Sequence, residues 1–157
     1  MVYKTRYTEK YDFSDSKEAP VLVCFVKKGN KYLLLKRSDK VLGYKNMWSN
    51  LSGFLDTDED LKVHVIRELN EEIGISVENI ISINEIDTYD YVDKNMNRVW
   101  KRHLVLVSLD TEEITIDWEH TDYRWVCPDD VGKFNITPGL IEDLYKVQSF
   151  GKNHNIR

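Results

Sequence analysis

Apolar positions along the chain fall into short dense runs and one clear helical stripe. Pro20 opens Val21-Leu-Val-Cys-Phe-Val26, a run of strand type, and Tyr32-Leu-Leu-Leu35 reads as its hairpin partner across the turn residues Lys28-Gly-Asn30. The polar residues 38–47, with Gly43 among them, predict a turn-rich connection. Trp48 to Leu51 then reads as a short strand that Gly53 ends. From there the period changes. Leu61, Val65, Leu69 and Ile73 recur at every fourth position with Ile66 beside them, which predicts an amphipathic helix from about Glu59 to Ile73. Thr57 or Asp58 can cap its start and Gly74 stops it. Ile80 to Val92 and Val99 to Leu109 alternate partly and predict long strands joined by the polar loop Asp93–Asn97. Tyr123 to Cys127 reads as a short aromatic strand, and Leu140, Ile141, Leu144 and Val147 mark a second helix within 137–149. Strands, helix, strands, helix: this order predicts an α/β architecture with a mixed sheet. One domain is expected over residues 1–157, with 1–19 as an N-terminal extension or edge segment and 150–157 as a polar, frayed tail.

Charge and cysteine content narrow the function classes. The formal net charge of -5 argues against general nucleic-acid binding, which calls for a basic surface. It leaves a nucleotide substrate open, because a metal ion can mask a local acidic cluster. Cys24 and Cys127 both sit in apolar surroundings and are expected as buried free thiols; neither has the spacing of a zinc or redox site. The first twenty residues hold no signal-peptide core and no apolar run is long enough to cross a membrane, which fits the cytoplasm and a monomer or homodimer.

The chemistry concentrates in Gly53 to Ile75, GFLDTDEDLKVHVIRELNEEIGI. Glu68, Glu71 and Glu72 are related by i, i+3 and i+4, so a helix places these carboxylates on one face, away from its apolar stripe. Like charges on adjacent turns repel and raise one another's pKa, unless a hard divalent cation reverses that balance. Three such carboxylates form an oxygen cage suited to Mg²⁺ or Mn²⁺, with substrate phosphates as further ligands. Arg67 is placed to pair with Glu59 or Glu71, and Gly53 lets backbone approach the metal or phosphate. A solvated acidic helix face is the bland alternative. An EF-hand loop starting at Asp56, Asp58 and Asp60 is excluded, because its glycine position holds Leu61 and its last glutamate position holds Arg67.

Gly53, Glu59, Arg67-Glu68-Leu69 and Glu71-Glu72-Ile73-Gly74-Ile75, at these spacings, resemble the complete signature box of the Nudix hydrolases. The likeness extends over about residues 20–149. The resemblance implies an α/β/α sandwich with a mixed sheet, and hydrolysis of a nucleoside diphosphate linked to another moiety. It implies metal and catalytic roles for Glu68, Glu71 and Glu72, an organising role for Glu59, Arg67 and Gly74, and a metal-ligating carbonyl at Ser52. Many members have two glycines at the start of the box; here Ser52 stands at the first, which stiffens that loop. Glu119-His-Thr-Asp-Tyr-Arg-Trp125 is similar to a segment of members that act on dinucleoside polyphosphates and of some that act on nucleoside triphosphates. It implies Glu119 as a metal ligand or general base and His120 as a phosphate contact; both as ordinary loop residues is the alternative.

Weaker candidates are Lys36 and Arg37, as phosphate-neutralising or plain surface cations, and Tyr89, Tyr91 and Trp100, as base-stacking or packing residues. His64 reads as a surface or packing residue, and His103 and His154 give no signal. The leading expectation is a metal-dependent phosphoanhydride hydrolase acting on a nucleotide-type small molecule, with nucleoside or dinucleoside polyphosphates ahead of ADP-ribose-type sugars and RNA 5′ ends. Its rivals are a nucleotide-binding regulatory module without turnover and a metal-storage protein.

Overall fold

The computed structural model describes residues 17–55 and 58–154. The first long strand is buried on both faces and organises the whole molecule. In β1 (Glu18–Lys28), Leu22, Cys24 and Val26 point to one face and Val23 and Phe25 to the other. Each face carries its own helix. Val65, Leu69 and Ile73 of α1 (Leu61–Ile73) pack on the first set, and Leu140, Leu144 and Val147 of α2 (Leu140–Asn153) on the second. Burying each of these side chains contributes on the order of 1.5–3 kcal/mol. The result is the expected α/β/α sandwich.

The remaining strands are β2 (Lys31–Arg37), β3 (Trp48–Ser49), β4 (Leu51–Phe54), β5 (Ile80–Asp93), β6 (Arg98–Leu109) and β7 (His120–Val126). Among the described residues they complete a seven-stranded mixed sheet of order β3-β2-β1-β6-β5, with β4 added to β1 and β7 to β2. β1 runs parallel to β6 from Glu18↔Val99 to Lys27↔Ser108, and every other strand pairing is antiparallel.

Several expectations change in detail. β1 and β2 pair at two positions only, Lys27↔Tyr32 and Lys28↔Lys31. Beyond the turn they splay, so that β1 takes β4 at Val21–Cys24 and β2 takes β7 at Tyr32–Arg37. The strand expected at Trp48–Leu51 is two strands separated by Asn50, and Gly53 lies inside β4 rather than after it. The cap of α1 is Asp60, whose carboxylate accepts from the backbone N–H of Lys62 and Val63. Asp58 lies two residues upstream of it, and Thr57 is outside the described residues. α2 starts later than expected and continues to Asn153, because Gly151 is buried where a frayed tail would be exposed. Of the 1–19 segment, Glu18 and Ala19 belong to β1, and residues before 17 lie outside the described part. Cys24 is buried as expected; Cys127 is only half-buried.

Candidate active site

The end of α1 is closed by glycine for two physical reasons. Gly74 has φ +69°, the left-handed conformation that a helix C-terminus favours, and a Cβ there would lie 3.0 Å from Cβ of Thr115. Its N–H donates to Asn70 O and that of Ile75 to Leu69 O, satisfying carbonyls the helix leaves open. The chain after β6 then returns along this end of α1. Thr115 N–H donates to Ile73 O at 3.0 Å and Asp117 N–H to Glu72 O at 3.2 Å. These two bonds bring Asp117 and Glu119 against Glu72.

Carboxylate oxygens of Glu72, Asp117 and Glu119 lie within 4.8 Å of one another. Glu72 and Glu119 are almost wholly buried, and so is Glu68 one turn earlier on α1. Glu119 N–H donates to Oδ1 of Asp117, and its carbonyl accepts from Ser38 N–H at the end of β2, which fixes the segment to the sheet. Burial, then the charges of Glu68 and Glu119, push the Glu72 carboxyl well above the usual carboxylate range. Burial raises Glu119 as well, against a hydrogen bond from Glu72 that lowers it. Buried acids crowded together in this way are what a divalent cation would stabilise. Oε2 of Glu68 and Oε2 of Glu72 are buried with no protein hydrogen-bond partner, so the donor set is hard oxygen with lone pairs to spare.

The expected site residues divide accordingly. Glu68, Glu72 and Glu119 come together. Glu71 sits half-buried on the neighbouring flank of α1, outside the tight oxygen group. Arg67 pairs with Glu59 across eight residues. Gly53 faces α1, where a Cβ would meet Oε1 of Glu68 at 3.3 Å. Two residues of the cluster escaped the sequence reading. Asp117 carries no motif signal of its own. His64, read as surface or packing, is buried with its ring against Glu59 and Glu68. Its signal was present in the sequence: His64, Glu68 and Glu72 recur at every fourth position, one residue before the apolar stripe.

On the α2 side of the sheet lies a cavity of about 120 Å³, walled by Phe54, Tyr91, Trp100, Arg37, Arg102 and Asn50 among others. Ser52 of β4 also lines it, so a single strand separates it from the acids beside Gly53. Asn50 is buried, and its Nδ2 has no protein partner. Asp93 ties the rim together by accepting from the Tyr44 hydroxyl at 2.7 Å, Trp100 Nε1 at 2.9 Å and Met96 N–H at 3.1 Å. Arg37 donates through Nε to Gly43 O. Lys36 is not among the lining residues. Tyr89 instead bonds Asp143 of α2, which Arg102 also pairs with. His120 is buried, with Nδ1 3.4 Å from Oδ1 of Asp117.

Comparison with known proteins agrees with this geometry. The family model described as "NUDIX domain" matches residues 17–145. Mouse (Mus musculus) mitochondrial NAD(P)H pyrophosphatase NUDT13 is 40% identical over 62 residues, which is 40% of this chain but only 17% of the mouse protein. Nucleoside triphosphatase NudI of Escherichia coli O139:H28 is 24% identical over 122 residues, covering 73% of this chain and 86% of that protein. The solved structure of a C. elegans Ap4A hydrolase binary complex superposes with a TM-score of 0.69 at 22% identity, over 86% of this chain and 98% of that one. No helix of the described residues is long and apolar enough to cross a membrane. The chain belongs to the NUDIX family, and it carries the box acids of a pyrophosphohydrolase intact.

Proposed function

We propose that this chain hydrolyses a phosphoanhydride bond of a nucleoside or dinucleoside polyphosphate, with Mg²⁺ or Mn²⁺ held by Glu68, Glu72, Asp117 and Glu119. One observation carries the reading: the buried Glu68 and Glu72 of α1, each with Oε2 left unpartnered, converge with Asp117 and Glu119 from the segment before β7. Glu71 and the Ser52 carbonyl are secondary ligand candidates on the rim of this group. A divalent ion bound there neutralises phosphoryl charge and polarises a water.

The chain's own residues do the rest. Glu72 and Glu119 each bring a carboxylate oxygen to the cluster, so either can accept the proton of an attacking water. Because the acids are coupled, the base is a property of the cluster. Arg67, paired with Glu59, holds the flank of α1 on which Glu71 sits. Arg37 and Arg102 place positive charge in the wall of the cavity, where substrate phosphates would pass. Tyr91, Trp100 and Phe54 offer aromatic faces to a base, and Asn50 Nδ2 a free donor. Polyphosphates lead because two of the similar proteins carry the names nucleoside triphosphatase and Ap4A hydrolase. A soluble nucleotide substrate and a free divalent ion fit work in the cytoplasm, by a monomer or homodimer.

The test is hydrolysis of a panel of nucleoside triphosphates, dinucleoside polyphosphates, ADP-ribose and 5′-triphosphate RNA, with Mg²⁺ and with chelator. Chelator-sensitive cleavage of the polyphosphates is expected, and Glu72→Gln should abolish it while the protein stays folded. A folded protein that turns over nothing on the panel would leave the rival binding module as the better reading.

A further inference from the structure

His64 is a polar ring in a place where a helix facing a core would ordinarily carry an aliphatic side chain. It is 1% exposed. Nδ1 lies 3.1 Å from Nη2 of Arg67 and 3.2 Å from Oε1 of Glu59. Nε2 lies 3.0 Å from Oε1 of Glu68, one turn along the helix. The guanidinium can only donate, so a neutral ring accepts at Nδ1 and carries its hydrogen on Nε2. A charged ring carries a hydrogen there too. In both states Nε2, beside Oε1 of Glu68, carries a hydrogen. The contact is electrostatic rather than an aligned hydrogen bond, since the ring nitrogen lacks hydrogen-bond geometry to any partner.

Oε1 of Glu68 thus has Nε2 of His64 on one side and the gap at Gly53 on another, where an added Cβ would lie 3.3 Å away. The other oxygen, Oε2, is the one left buried without a partner. Glu68 is also the first charge acting on Glu72.

We infer that His64 is a positioning residue. It fixes Oε1 of Glu68 so that Oε2 is presented to the divalent-cation site, and it connects the Glu59–Arg67 pair to that carboxylate. This rests on the metal-dependent reading above. Groups that orient metal ligands from behind commonly control affinity by 10–100-fold, which sets the expected size.

The experiment compares His64→Leu, which keeps bulk and helix propensity but removes the donor, with His64→Gln, which keeps an N–H donor within reach of Glu68. Mn²⁺ affinity is measured on the full chain by the loss of the free Mn²⁺ resonance signal, beside the melting temperature in chelator and polyphosphate hydrolysis. Expected are a roughly tenfold loss of Mn²⁺ affinity in His64→Leu, a matching loss of kcat with little change in KM, and recovery of most of both in His64→Gln. If His64→Leu does not fold, His64→Ala takes its place against the same glutamine rescue. A wild-type protein that binds Mn²⁺ and turns over, with the leucine variant within twofold of it or the glutamine variant no better than leucine, overturns the inference alone. A wild-type protein that neither binds Mn²⁺ nor hydrolyses the panel overturns the metal-dependent reading, and the inference with it.

Discussion

Gly53→Ala separates function from stability more cleanly than removal of any acid. Gly53 lies in β4 paired with Leu22 and is not among the glycines with positive φ, so alanine fits its backbone. Its unfolded chain has fewer conformations to lose, which stabilises by about 0.4–1 kcal/mol. The new Cβ, however, would sit 3.3 Å from Oε1 of Glu68. The carboxylate must retreat by a few tenths of an ångström. A misplacement of about 1 Å costs about 100-fold in rate, so this shift should cost roughly three- to tenfold in kcat. The assay is steady-state polyphosphate hydrolysis with saturating Mg²⁺, beside urea unfolding in chelator. Reduced kcat with an unchanged or higher unfolding midpoint is expected. Wild-type kcat would refute the idea that the gap at Gly53 sets the position of Glu68. A stability loss above about 1 kcal/mol would place the effect in the sheet instead.

Metal-free protein should lose stability as pH rises. The folded pKa of Glu72 and Glu119 lies above the ordinary value of 4.5, so above that value the unfolded chain releases protons that the folded one retains. Stability present below about pH 4.5 is therefore eroded as pH climbs towards the folded values. Melting curves in chelator should show this slope and excess Mg²⁺ should flatten it; identical slopes with and without Mg²⁺ would count against a metal at these acids. Gly74→Ala should destabilise by about 1–2 kcal/mol from its left-handed backbone alone, and more through the contact with Thr115, read as a lower urea midpoint. Asp117→Asn should weaken Mg²⁺-dependent turnover by at least tenfold while raising the melting temperature in chelator, since one member of a repelling group is neutralised. Asp93→Ala would leave the Tyr44 hydroxyl, the Trp100 indole and the Met96 N–H without their acceptor. A loss of about 2–4 kcal/mol and a raised KM are expected.

The box was legible because its geometry is local. Spacing of three and four residues on one helix places Glu68 and Glu72 without reference to anything outside α1. The two-sided burial of β1 was similarly written into its dense apolar run. What escaped depends on chain return. Asp117 reaches Glu72 through backbone bonds at Thr115 and Asp117, and backbone pairing leaves no side-chain signature. The same holds for β2, whose apolar run says that it is a strand but not that β7 is its main partner. His64 was missed for another reason. An isolated histidine carries no signal by itself, whereas its i+4 relation to Glu68 places it in a line with the acids. Asp60, rather than Thr57 or Asp58, caps α1 because it is the residue whose carboxylate reaches the free N–H groups of Lys62 and Val63.

The seam between residues 110–119 and the end of α1 also governs where the chain tolerates extra length. Its bonds from Thr115 and Asp117 to the carbonyls of Ile73 and Glu72 leave no slack, so one residue inserted between Ile114 and Asp117 would put that stretch of bonds out of step and carry Glu119 away from its neighbours. The turn at Gly29-Asn30 is exposed, and nothing lies within 4 Å of where a Gly29 side chain would begin. An epitope or fluorophore spliced there should leave turnover intact. One loop is a free surface for engineering, and the other sets the spacing of the acids.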